Sequence, residues 1–220
     1  MADVFKDRLD ESRTLLQGQG LGDKIEVTDE RCFCGLDAFE KLLALKDVNY
    51  VHLWPPRRAS VRSTSKLPSR LASTCLRKSL SPLMVPALRT CLTAAEEAKV
   101  QRHLAIGAGT QNRHKTGYIE TMKLVHEGAI GEILAARCYF NTGGIWVKPR
   151  QPEWTDMEWQ LRNWYYFTYL SGDHIVEQHV HQLDAINWAM NAHPIRATSF
   201  GRQTGANRSG LWSYLRPLHR

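Results

Sequence analysis

The chain has 220 residues, 43% of them apolar, and a formal net charge of +7. That length can bury one large core or two small ones, and that apolar content excludes a chain disordered throughout. No apolar run approaches the roughly 20 residues of a membrane helix. The charged stretch Met1 to Asp10 lacks the apolar heart of a signal peptide. As written, the sequence therefore points to the cytoplasm, with an export signal ahead of Met1 left open. Five cysteines (Cys32, Cys34, Cys75, Cys91 and Cys138) are odd in number and never spaced C-x-x-C. They argue against a disulfide framework or zinc ribbon and for a reduced compartment.

The basicity is local. No acidic residue lies between Asp47 and Glu96, and 54–88 carries Arg57, Arg58, Arg62, Lys66, Arg70, Arg77 and Lys78. Those seven charges equal the whole net charge, so the remainder is neutral. A basic insert of this kind can hold nucleic acid through its phosphates. Here it lacks the interleaved aromatics of a strand-binding groove, so no nucleic-acid partner is expected.

In chain order, Phe5 to Gln17 reads as a helix with Phe5, Leu9, Leu15 and Leu16 near helical spacing, ended by Gly18, Gly20 and Gly22. Asp37 to Leu45 is a second helix with Phe39, Leu42, Leu43 and Leu45 on its apolar side, and Asn49 to Leu53 starts a buried strand. Trp54 to Leu88 holds seven Ser and five Pro and keeps neither period. Thr90 to Lys99 is a helix, Leu104 to Ala108 a strand, and Lys115 to Glu127 an amphipathic helix stopped by Gly128. Ile133 to Phe140 reads as a strand, Ile175 to Met190 as a long helix followed by Pro194, and Ile195 to Phe200 as a further strand. From 204 to 220 no pattern holds. Helices alternating with short apolar strands predict an α/β class.

Several stretches, together about two thirds of the chain, resemble the Gfo/Idh/MocA family of NAD(P)-dependent oxidoreductases, bacterial members in particular. ADVFKDRL at 2–9 is similar to the end of the second Rossmann strand and its helix, and GLDAFEKLL at 35–43 to a strand-linking helix. TAAEEAK at 93–99 and the run at 104–133 resemble the close of the cofactor domain. NTGGIWVKPRQPEW at 141–154 and the run at 162–190 resemble a substrate domain. The resemblance implies an incomplete Rossmann domain over 1–112 and an incomplete α/β domain with an open, mainly antiparallel sheet over 113–203. It also implies NAD (or NADP) as cofactor, a sugar- or polyol-like substrate, and homo-oligomers in intact relatives. Asp3 falls where the family binds the adenosine ribose, which favours NAD, and Arg113 with His114 falls near the meeting of cofactor and substrate.

Neither G-x-G-x-x-G nor E-K-P occurs in the sequence. Codons can be chosen for 53–88 whose neighbouring frame spells a family-like segment containing GKHVFAEKP, and another frame after Gly205 resembles the next one. The expectation is a truncated, frameshifted chain, aberrant at 54–88 and 204–220, begun at an internal start codon. It should be poorly soluble and give no measurable turnover.

The chemistry concentrates in GDHIVEQHVHQLDAINWAMN at 172–191. On an α-helix His174, Glu177, His181 and Asp184 form one polar stripe. A carboxylate one turn from an imidazole orients the ring and sustains its protonated form, which suits proton transfer. The resemblance implies His181 as the acid/base and Glu177 in place of the family's Asp, with His174 and Asp184 on the substrate side. Three other readings stand beside it: buried structural polars, a metal-dependent hydrolase using His174, Glu177 and His181, and a non-enzymatic basic nucleic-acid-binding protein. Loose i, i+7 spacing of the two histidines speaks against the metal. Trp159, Trp164, Tyr165, Tyr166 and Tyr169 could stack on a sugar-like substrate or build a core.

Overall fold

A computed structural model describes residues 1–20, 24–53, 74–77, 89, 92–93, 95–97, 99–100, 106–142 and 145–198. The chain divides near 107/108. Residues 1–53, 74–76 and the described part of 89–107 form one unit, and 108–198 belong to the second.

In the first unit, strand β1 (Ala2–Asp3) leads into helix α1 (Lys6–Gln17). Strand β2 (Phe33–Cys34) lies parallel to β1, with Ala2 opposite Phe33 and Asp3 opposite Cys34. The bonds Phe33 N to Met1 O (2.9 Å) and Gly35 N to Asp3 O (3.0 Å) close that ladder. A parallel pair needs a crossover, and α1 supplies it. Helix α2 (Ala38–Leu43) follows β2 and contacts both strands. Its Phe39 and Leu43 pack with Val48 on buried Val51, in strand β3 (Tyr50–Leu53). The spacing also predicted Leu15 and Leu16 on the covered side of α1. Only Leu9 is buried there, and both of those leucines are exposed.

A second sheet has the order β3–β4–β5, with β4 at Thr74–Arg77 and β5 at Ile106–Ala108. Strand β4 lies inside the stretch whose sequence shows no sustained period. Four residues are too few for a period-2 signal to stand out, and strands on both sides supply its hydrogen bonds. The rest of 54–88, and the tail 204–220, lie outside the described residues. Those described between 89 and 100 are helical.

Beyond the end of β5, the regular elements of the second unit are helices among its described residues. Helix α3 (Thr116–His126) packs on a later helix, α6 (Val180–Ala189), and His126 Nε2 meets Trp188 O at 2.9 Å. Between them lie α4 (Asp156–Arg162) and α5 (Thr168–Ser171). The expected strand at Ile133–Phe140 carries no ladder, and neither do residues 195–198. Leu134 and Ile195 stand 84% and 103% exposed. A strand exists only by pairing. With no neighbouring ladder among the described residues, these β-prone runs form no strand, and the antiparallel sheet expected for this unit is not formed there.

The core of this unit is aromatic: Leu161, Trp164, Tyr166, Phe167 and Leu170 are buried, with Trp159 edge-on to Phe167 at 5.7 Å. At its centre Asn163 is 0% exposed. Its amide accepts from Lys148 N (2.7 Å) and donates to Lys148 O (3.0 Å) and Trp159 O (3.1 Å). One side chain thus satisfies both backbone groups of Lys148, as a neighbouring strand would.

Candidate functional site

The site helix begins with two left-handed residues, Gly172 (φ 82°) and Asp173 (φ 71°). Gly172 caps α5, and Asp173 tolerates the conformation because its short polar side chain bonds locally. Asp173 N donates to Ser171 Oγ (3.0 Å), and Asp173 Oδ1 accepts from His174 N (2.6 Å). The chain then makes one π-helical turn, Ile175–His179, before settling into α6.

That turn changes the site. On an α-helix residues five apart sit about 140° from each other, at 3.6 residues per turn. The i→i+5 bonding of a π turn brings them together. His174 and His179 accordingly meet, with their Nδ1 atoms 2.9 Å apart and ring centroids 4.7 Å apart at 71°. Phe140 stands edge-on to His174 at 5.5 Å and lies 6.4 Å from His179. Burial, and then the neighbouring His179, hold His174 below its ordinary pKa, with Asp173 opposing.

The single polar stripe read from 3.6-residue spacing is therefore broken. His181 and Asp184 share the register of α6, whereas His174 lies across the inserted turn. His181 is half-buried, its Nδ1 shielded from solvent. Glu177 lies within the π turn near Tyr165. Burial pushes the Tyr165 phenol up, the Gln178 amide offsets part of that, and Glu177 and Asp173 push it further. Among the described residues no three His, Cys, Asp or Glu side chains gather as a metal site, so the hydrolase reading has no support.

Asp184 and Arg113 are joined. Arg113 Nε lies 3.0 and 2.8 Å from the two Asp184 oxygens, and a terminal nitrogen lies 2.9 Å from Oδ1. The guanidinium also stacks over Trp188 at 5.2 Å, and Asp184 holds it protonated. This fork clasps the turn Gln111–His114 to α6. As placed, the two residues, which the family resemblance puts on the cofactor and substrate sides, bind each other.

Asp3 ends β1, and its Oδ1 accepts from Phe5 N at 2.9 Å. It stands at the carboxyl end of a parallel strand, where open α/β sheets bind ligands. A nicotinamide cofactor would need a carboxylate at such a strand end for its ribose, the place the family resemblance gives Asp3. The glycine cradle for the pyrophosphate is not among the 220 residues, so the fit is partial. Of the aromatic candidates, Trp164 and Tyr166 belong to the core, and the Tyr166 hydroxyl donates to Ile145 O at 2.7 Å. Tyr169 reaches Gln160.

Sequence reasoning missed His179 and Asn163. The H-x-H pair at 179 and 181 and the Gly-Asp ahead of them were the available signals. Neither reveals an inserted turn, because a π turn has no composition of its own.

The fold and site define a mixed α/β protein with a parallel strand pair in one unit and a histidine-bearing helix in the other. No family model matches the sequence, and no curated protein matches it. Among solved structures, aldose-aldose oxidoreductase from Caulobacter crescentus, complexed with glycerol, is similar, with a TM-score of 0.56 at 13% identity. The match covers 86% of this chain and 48% of that one, so this chain spans about half that protein's length. The likeness is one of fold. Among the described residues no helix is long and apolar enough to cross a membrane.

Proposed function

We propose that this chain carries the fold and the proton-handling helix of a Gfo/Idh/MocA-type oxidoreductase. Its reaction class is hydride transfer between NAD(P) and a sugar- or polyol-like hydroxyl. The observation that carries the reading is the fold likeness to a sugar oxidoreductase over most of this chain. The E-x-x-x-H-x-x-D run at 177–184 supports it on chemistry. When bound, the nicotinamide accepts or gives the hydride. His181 takes or returns the hydroxyl proton, Glu177 sustains its charged form, and Asp3 holds the adenosine ribose. The partner is a small molecule, and oligomers form in intact relatives.

As written, the sequence carries neither G-x-G-x-x-G nor the E-K-P lysine, so we expect no measurable turnover from it. The test compares two chains at 340 nm with NAD and a panel of polyols. One is the chain as it stands. The other carries a glycine-fingerprint βα unit ahead of Ala2 and the family-like reading in place of 53–88. The reading expects turnover only in the second, lowered about 10²–10⁴-fold by His181→Ala, the usual contribution of a positioned acid/base. No turnover in the second, or full activity in its His181→Ala form, removes this reading.

A further inference from the structure

We infer that His174 and His179 act as a one-proton pair that relays a proton between their two outer nitrogens. The inference rests on the oxidoreductase reading for its use, though not for its existence. Two imidazole nitrogens 2.9 Å apart hold a hydrogen bond only if one is protonated and the other is not. The neutral rings are therefore complementary tautomers. One has Nδ1–H and a bare Nε2, and the other has a bare Nδ1 and Nε2–H. A second proton on the pair would set two N–H groups against each other at the contact. Burial beside Phe140 discourages that charge further, and Asp173 is the charged neighbour acting on His174.

Such a pair moves protons without changing its own charge. A proton joins the bare Nε2 of the first ring. The Nδ1–H proton of that ring crosses to the second Nδ1, and the second ring releases its Nε2–H proton. Each ring forms one N–H bond as it breaks another, and the reverse passage restores the starting tautomers. On the oxidoreductase reading, the pair would pass on the proton that His181 takes from a hydroxyl in an oxidation and return it in a reduction. The π turn is what permits this, since an α-helix would part the two rings. Positive φ at Gly172 and Asp173 fixes where it starts. Unusual backbone of both kinds concentrates at functional sites.

The test is ¹⁵N NMR of the labelled full chain through a pH titration. The relay predicts complementary tautomers, uptake of one proton by the two rings together, and exchange between the tautomer states at one rate in both rings. His179→Phe should leave His174 titrating alone, and His179→Gln serves the same purpose if the phenylalanine does not fold. Two Nε2–H tautomers, or two independent proton uptakes, overturn the pair. Complementary tautomers without exchange overturn the relay. These resonances need no nicotinamide, so absence of turnover in the chain with the restored glycine fingerprint would reject the oxidoreductase reading and leave this result standing.

Discussion

Replacing Asn163 by alanine removes three hydrogen bonds from a side chain that is 0% exposed. Trp159 O keeps a backbone partner, since Asn163 N also donates to it at 3.0 Å. The N–H and C=O of Lys148 lose the partner that the amide gave them. Lys148 is an exposed residue, so water can reach part of what is lost. That sets each orphaned group near 1 kcal/mol, the low end of the usual range, and the third bond adds about as much again. The expected loss is therefore about 3 kcal/mol. Urea unfolding followed by tryptophan fluorescence measures it as a lower midpoint at unchanged slope. Lys148→Ala is the control, because Asn163 binds the backbone of Lys148. It should change stability by no more than about 0.5 kcal/mol. Asn163→Asp should be worse at pH 7 than at pH 4, because a carboxylate there would face two carbonyl oxygens. A loss under about 0.5 kcal/mol for Asn163→Ala, or an equal loss for Lys148→Ala, refutes the account.

Thr155→Ala removes the side chain that caps α4 by accepting from Glu158 N at 3.2 Å, and should cost about 1 kcal/mol in the same assay. Asp184→Asn breaks the fork to Arg113, whose side chains are 39% and 20% exposed. Solvent screening limits that cost to about 1 kcal/mol, and Arg113→Lys should retain less than half of the pair's contribution, because an ammonium cannot bind bidentately. Both effects should shrink as salt is added, and a salt-independent loss would point to packing on Trp188 instead. His174 is held below its ordinary value of 6.5, so the unfolded chain takes up its proton first as pH falls. That contribution is whole above pH 6.5 and is lost as pH drops below it. The unfolding midpoint should therefore fall more steeply between pH 7 and 5 in the parent than in His174→Phe, and parallel curves would refute it.

The helices were the legible part. Lys6–Gln17, Ala38–Leu43 and Thr116–His126 begin and end within a few residues of where their apolar spacing puts them. Helix α4 also leaves a local trace, since T-D-M-E at 155–158 has the form of a capping box. Strands fared worse for a physical reason: 133–140 has the right residues, but pairing depends on a neighbour that local sequence does not name. The site was half legible. Residue types at 174, 177, 181 and 184 suggested acid/base chemistry, but their mutual placement assumed one uninterrupted helix. The π turn that sends His174 to His179 is a feature of the fold that residue spacing does not carry. The joining of Arg113 to Asp184 crosses 71 residues and has no local trace at all.

The π turn also works as an indexing joint. It adds one residue to the helical path, so every side chain after His179 is rotated by about 100° from where a plain helix would present it. Deleting one residue between Ile175 and His179 would leave the hydrophobic composition of the helix almost untouched. It would still swing His181 and Asp184 a quarter turn and part Asp184 from Arg113. Composition and orientation are thus set independently here. A related chain one residue shorter at this point could keep each of these residue types and aim them at a different site.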